Sequence, residues 1–186
     1  MGNVWRDARS IPDLGHAMAG WLEGRIPSWP GYDGPFGQEE TNGARHLVPT
    51  LIALNRAGFV TVNSQPGTEG RGYDGAHWRQ KAYLEGYLDD RSPFLVHVVR
   101  SVESAGMVVV RGTRRPARPI PFTDRDGEPV AGISVRLPRN QMAREWHGIG
   151  RQAMRDLRSR GVRLTLIDPI WGRDDRLWPA LIGAVR

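Results

Sequence analysis

Asn63-Ser64-Gln65-Pro66-Gly67 follows directly on the β-branched and aromatic run Phe59 to Val62. It puts three uncharged side chains that both donate and accept next to a glycine whose backbone a ligand can approach. Amides and hydroxyls beside aromatics suit recognition of a base, a sugar or an amide better than proton transfer. If the next segment pairs with this strand, Gln80 and Glu85 face the same crevice, and Trp78, Tyr83 and Tyr87 wall it. The candidate ligand site is thus Asn63, Ser64, Gln65, Gln80, Trp78 and Tyr83, for a small and nucleotide-like molecule. Glu85 and Glu40 are the candidate general bases. The competing reading is a hydrogen-bonded turn, because turns use the same residue types. Neither reading decides whether the protein is an enzyme.

A second constellation is basic. A helix expected over 140–160 carries Met142, Trp146, Ile149, Ala153 and Leu157 as one apolar stripe. At 100° per residue, Arg144, Arg151, Arg155 and Arg158 then share the opposite face. Guanidiniums in line can track phosphates or an acidic protein, with Arg114, Arg115 and Arg118 extending the patch. A solvated helix face is the plainer account.

Other patterns are weaker. Gly70-Arg71-Gly72-Tyr73-Asp74-Gly75 fits the letters GxGxxG, but the strand ends too early and no helix is expected behind it, as dinucleotide binding requires. Asp168, Asp174 and Asp175 offer oxygen ligands for Mg²⁺, or simply a turn and a helix cap. Ser64, His77 and Asp74 can be drawn as a hydrolase triad without a nucleophile-elbow motif. The five histidines lack zinc-site spacing, and no pattern calls for a bound cofactor or metal.

The elements that must position these residues are readable from capping and periodicity. Ser10 caps a helix bearing Leu14, Met18, Trp21 and Leu22. Residues 25–43 form a long aperiodic loop, a class of segment that is functional or disordered; its aromatics favour an ordered loop wrapping the core. Pro49 opens a second helix, Gly58 closes it, and the Phe59 strand follows. Trp78 to Leu88 reads better as a strand than as a helix, since Gly86 is a poor helix former. Ser92-Pro93 starts a helix that ends at Gly106, before a strand at Met107 to Val110. Residues 111–121 are an extended, arginine- and proline-rich connection. Asp126-Gly127 marks a turn, and Ile133, Val135 and Leu137 alternate as in a strand. After the 140–160 helix come a strand, Val162 to Ile167, and a helix, Asp175 to Ala184. The expectation is an α/β or α+β fold: one compact domain over 1–186, with a mixed sheet of about five strands and helices packed on it.

Composition bounds the rest. At 186 residues the chain can bury a core without staples, and the absence of cysteine excludes disulfides, Cys–zinc sites and thiol catalysis. No apolar run approaches the roughly 20 residues of a membrane span, and no signal core opens the chain, so a cytoplasmic protein without membrane association is expected. Of the formal +6, residues 1–93 supply nine basic and eleven acidic side chains, and residues 94–186 supply seventeen and nine. An anionic partner is therefore permitted by the second half. Lys81 is the sole lysine among 26 cations. The sequence specifies no oligomeric state.

The stretches WLEG, GQEETNG, LIALNRAGFVTVNSQPG, QKAYLEGY and IDPIWGRDDRLWPAL resemble a family of uncharacterised proteins of streptomycetes, related actinobacteria and their phages or plasmids. Residues 111–139 lie outside the resemblance. It implies no activity, but it groups Asn55, Ser64, Gln65, Gln80 and Glu85 and adds a third reading, an accessory interaction protein of a mobile element.

Overall fold

The computed structural model describes residues 3–37, 44–112, 118–133 and 141–186. Helices α1 (Val4–Asp7) and α2 (Ile11–Leu22) open the chain. Ser10 caps α2 reciprocally: its hydroxyl accepts from the Asp13 N–H at 3.2 Å, and the Asp13 carboxylate accepts from the Ser10 N–H at 3.0 Å. A short 3-10 turn, Arg45–Leu47, leads into α3 (Val48–Arg56), with Pro49 in its first turn. Gly58 follows at φ +93°, a left-handed conformation that lets the chain leave the helix for a strand.

Strands β1 (Val60–Gln65), β2 (Thr68–Arg71), β3 (His77–Gln80) and β4 (Tyr83–Asp89) come next. They are followed by α4 (Pro93–Ser104), β5 (Val108–Arg111), β6 (Ile120–Arg125) and β7 (Glu128–Ile133). The chain closes with α5 (Gln141–Glu145), α6 (Arg151–Arg160), β8 (Gly161–Ile167) and α7 (Leu177–Val185). Asp126 (φ +53°) and Gly127 (φ +90°) make the tight turn between β6 and β7, as their sequence predicts.

The expected single mixed sheet is corrected. The described residues form two four-stranded sheets, ordered β1-β4-β8-β5 and β2-β3-β6-β7, and every pairing among them is antiparallel. Two physical facts account for the difference. First, β1–β2 and β3–β4 are the two arms of one long hairpin. Gln65 lies opposite Tyr83 and Thr68 opposite Gln80, so the register runs unbroken across the gap. Pro66 has no N–H for the ladder, and at that point the ribbon leaves one sheet and enters the other. Second, the step β4–α4–β5 does leave its two strands pointing the same way, but β8 enters between them, antiparallel to both.

One continuous core lies between the first sheet and the helices, containing Leu14, Leu54, Phe59, Leu84, Leu88, Val98, Leu164, Leu166 and Leu181, all fully or almost fully buried. Gly86 is required in it, because a Cβ there would stand 2.4 Å from the Val60 carbonyl oxygen.

The 140–160 helix is also corrected. It breaks between α5 and α6, with Gly148 at φ +80°. Gly150 donates its N–H to the Trp5 carbonyl at 2.9 Å, and a Cβ on it would lie 2.0 Å from the Ala8 carbonyl oxygen. Docking on the N-terminal segment thus overrides helix continuity, where two glycines already disfavour it by roughly 1 kcal/mol each. The apolar stripe survives the break: Trp146, Ala153 and Leu157 are buried, and Met142 and Ile149 are packed against the core. Val135, Leu137, Glu40, Arg114 and Arg115 lie outside the described residues.

Candidate functional site

The polar turn sits at the bend where the hairpin passes between sheets. Gln65 Nε2 donates to the Lys81 carbonyl at 3.0 Å and to the Phe122 carbonyl at 2.9 Å, tying β1 to the junction between β3 and β4 and to β6. The segment 168–174 seats on the same bend. Asp168 donates its N–H to the Ala82 carbonyl (2.9 Å), and Gly172 donates to the Gln80 carbonyl (3.0 Å). Gly67 donates its N–H to Asp174 Oδ1 at 2.8 Å, and a Cβ at Gly67 would be 2.0 Å from the Arg173 carbonyl oxygen. The two stretches NSQPG and DPIWGRDD therefore form one joint.

The acidic residues Asp168 and Asp174 of that segment are engaged by partners inside the protein. Asp168 is fully buried and accepts from Arg173 Nε (2.8 Å) and the Ile170 N–H (2.9 Å). Asp174 also takes Trp178 Nε1 at 2.7 Å and His46 Nε2 at 2.5 Å, while Asp175 is exposed. Among the described residues, no group of three or more His, Asp or Glu is assembled to hold a metal. The lone lysine belongs to this joint too: Lys81 Nζ stands 4.4 Å over the Trp171 ring, which the Arg79 guanidinium also approaches at 5.0 Å. Burial pushes the Lys81 ammonium down from its ordinary pKa, opposed by Asp168 and reinforced by Arg79.

The other residues of the sequence-predicted crevice are distributed along the ribbon. Glu85 pairs with Arg163 at 2.8 Å and accepts from the Thr165 hydroxyl at 3.0 Å. Tyr83 is buried with its ring 4.3 Å from Phe122, and that burial drives its phenol well above the ordinary value. Gln80 accepts from the Thr68 hydroxyl at 3.2 Å, and Trp78 Nε1 donates to Asp74 at 3.1 Å. The GxGxxG letters span β2 and the hairpin tip, where Gly75 (φ +76°) turns the chain into β3 rather than into a helix. His77, opposite Arg71, faces Glu69 at 3.4 Å. Ser64 lies seven residues down the ribbon from Arg71, roughly 20 Å at the usual strand rise, so Ser64, His77 and Asp74 do not form a triad.

The concave site lies on the other side of β1. A cavity of about 390 Å³ is lined by Met18, Trp21 and Leu22 of α2, by Leu51 of α3, by residues of the segment from Trp29 to Gly37, and by Thr61 to Ser64. Its walls are fixed individually. Trp21 Nε1 donates to the Gly34 carbonyl at 2.9 Å, and Trp29 and Tyr32 exchange backbone hydrogen bonds at 3.1 and 2.9 Å. Trp5 Nε1 holds the Ser28 carbonyl at 2.9 Å, and the Trp29 ring rests 5.6 Å from Trp146. Around Trp21 stand Phe36 at 5.0 Å, Trp29 at 6.1 Å and Tyr32 at 6.2 Å between ring centroids.

Strand β1 is the outer strand of its sheet. Successive strand side chains point to opposite faces, so four consecutive lining residues mean that the cavity meets β1 along its edge. The near end of that edge is closed by the buried Asn55, whose Oδ1 accepts from the Thr61 N–H (3.0 Å) and whose Nδ2 donates to Thr61 Oγ1 (2.7 Å). Among the described residues, no Asp, Glu, Lys, Arg or His lines the cavity.

Of the candidates read from sequence, Asn63 and Ser64 line this cavity, whereas Gln65, Gln80, Trp78, Tyr83 and Glu85 do not. The aromatic wall of Trp21, Trp29, Tyr32 and Phe36 was not anticipated as a site. Its one sequence signal was the density of aromatics in the aperiodic 25–43 loop. Arg151, Arg155 and Arg158 are exposed on α6; Arg144 is exposed on α5, across the break. No described helix is long and apolar enough to cross a membrane.

These features define an antiparallel α+β domain with an uncharged aromatic cavity at a sheet edge. The full chain, residues 1–186, matches the family described as Domain of unknown function (DUF6919), and the protein belongs to that family. It is also similar to methylenetetrahydrofolate reductase (NADH) 1 of Zea mays, at 26% identity over 138 residues. That alignment covers 68% of this chain, and the chain spans about a fifth of the reductase, 20% of its length.

Proposed function

We propose that this protein binds a small ligand in the cavity between α2, the Trp29–Gly37 segment and the edge of β1. The observation that carries this reading is the cavity's make-up: four aromatic side chains, about 390 Å³ of space and hydroxyl and amide groups from a strand edge, without a carboxylate, imidazole, ammonium or guanidinium in the described lining. The size is that of ligand sites, and aromatic side chains beside a few polar groups are a lining such sites use. Asn63 and Ser64 supply the polar contacts. A nucleotide would find nothing in the described lining to neutralise its phosphates, so only its uncharged part fits. The same lining offers no carboxylate or imidazole for proton transfer, only the Tyr32 phenol, which favours a binding protein over an enzyme at this place. The resemblance to proteins of actinobacteria and their phages supports reading such a binder as an accessory protein of those genomes.

The test is a thermal-shift screen of small molecules against the full chain, repeated on Trp29→Ala and Gln65→Ala. Ligand at about 100 times Kd stabilises by roughly 2.7 kcal/mol, which a melting curve resolves. The ligand-dependent shift is expected to vanish in Trp29→Ala and to persist in Gln65→Ala. A shift that survives Trp29→Ala rules the cavity out.

A second reading uses Arg151, Arg155 and Arg158, three exposed guanidiniums along one face of α6. It predicts binding to DNA, RNA or an acidic protein that falls steeply with salt. Absence of binding to single- or double-stranded DNA or RNA at low salt removes its nucleic-acid form.

A further inference from the structure

We infer that the group held in the aromatic cavity is a methylated ammonium, as at the head of choline or the end of trimethylated lysine; this rests on the cavity being the ligand site. The arrangement of the rings points to it. Phe36, Tyr32 and Trp29 are inclined to Trp21 by 69°, 62° and 58°. They stand tilted or edge-on to the indole rather than stacking upon it, and all four side chains line the cavity. Rings so inclined enclose a compact, nearly spherical group on several sides, whereas stacked rings would enclose a flat one.

The electrostatics select the same group. Each ring presents a negative face, and an aromatic box of this kind attracts a cation that sits within about 6 Å of the ring centroids. The remaining lining has no carboxylate among the described residues. A primary ammonium or a guanidinium brings N–H donors that must be satisfied, and the chain's own enclosed guanidinium shows that requirement: Arg163, with its side chain 9% exposed, is held by Glu85. A trimethylammonium carries its charge with no N–H at all, so an aromatic box leaves none of its polar groups unpaired. Anions have no cation to meet among the described lining residues. Asn63 and Ser64, along one side, are placed for the hydroxyl or carbonyl on the ligand's tail.

The full chain is titrated with choline, with a peptide containing trimethyllysine, and with 3,3-dimethyl-1-butanol, which replaces the choline nitrogen by carbon at nearly equal shape. Tryptophan fluorescence and calorimetry are the readouts. Choline or the peptide is expected to bind at least about tenfold more tightly than the neutral alcohol, the margin expected of a desolvated cation–π contact. The tighter of the two cations identifies the source, a free small molecule or a modified protein. Trp29→Ala is expected to lose that affinity. Because Trp29 also supports Trp146, Tyr32→Ala is the companion variant; Tyr32 is 42% exposed and its loss leaves the core in place. Equal binding of choline and the alcohol overturns the inference and leaves the ligand cavity standing. So does silence from both cations while another small molecule shifts the melting curve through Trp29. Cation binding that neither variant weakens overturns the inference and places the cation elsewhere.

Discussion

The hairpin bend and the aromatic cavity share the strand β1, and they use its residues in opposite ways. At the bend, nearly every polar group has a partner inside the protein: Gln65 on two carbonyls, Gly67 on Asp174, and Gln80 on both Thr68 and Gly172. Two residues back, Asn63 is exposed and lines an open cavity walled by rings. Polarity in a sequence thus marks where hydrogen bonds are needed, for the fold as readily as for a ligand. The unfilled space is beside the aromatics.

The sharpest way to break this contrast is Gly67→Ala. A Cβ at 2.0 Å from the Arg173 backbone oxygen cannot be relieved by a side-chain rotation. The variant is expected to lose about 3 kcal/mol in chemical denaturation, at the upper end of overpacking costs. An unchanged midpoint means that the 168–174 segment is not seated on the bend. Next is Glu85→Ala, which strips the closest carboxylate from Arg163, a guanidinium whose side chain is only 9% exposed. Glu145 at 3.7 Å and the Tyr87 hydroxyl at 3.0 Å remain, so the expected loss is about 2 kcal/mol rather than the full cost of an orphaned buried charge. Ligand binding should persist in that variant, and its loss there would extend the site to β4.

A paired measurement on neighbours refines the comparison. Gln65→Ala strips the side-chain donor from the Lys81 carbonyl, while the Phe122 carbonyl keeps the Lys81 N–H at 2.9 Å, and should cost about 1 kcal/mol; the exposed Asn63→Ala should stay within about 0.5 kcal/mol of the parent. Ligand affinity should respond in the reverse order. Equal stability losses at both positions would erase the distinction between joint and site.

The smallest expected effect is a pH dependence confined to the second sheet. The Arg79 guanidinium hydrogen-bonded to Asp124, helped by the Gly127 N–H, holds that carboxylate below its ordinary range. A depressed native pKa contributes stability that is complete above the unfolded value, near about 4, and that disappears as pH falls through the lower native value. Asp124→Asn should therefore flatten the acid limb of the unfolding curve, read by near-UV dichroism between neutral pH and about pH 2. An acid limb identical to the parent's would show that Asp124 does not link folding to pH.

What the sequence made legible is local. The Ser10–Asp13 cap, the glycine exit after α3, the Ser92-Pro93 helix start and the Asp126-Gly127 turn all depend on neighbours within a few residues. Burial of the Met142-to-Leu157 stripe was legible too, although the helix carrying it was not continuous. Long-range geometry was not. Gln65 finds Phe122 across 57 positions, Gly150 meets Trp5 and Ala8 from the far end of the chain, and β8 inserts between strands that precede it by more than fifty residues. The cavity likewise joins α2, α3, a loop and a strand edge. Each of its aromatics reads singly as core, and only their convergence around an open space makes a site.

The place of β8 also sets an order of assembly. Among the described strands, β5 pairs with β8 and with no other. During synthesis Val108–Arg111 therefore emerges with its hydrogen-bonding edges unmatched until Gly161–Ile167 follows, an interval of roughly 3–10 s at ordinary elongation rates. The hairpin of β1 to β4 can close early, from contiguous sequence, but the sheet that it anchors cannot. A nascent chain stalled before residue 161 carries a half-built sheet with two open edges, the species a chaperone would meet.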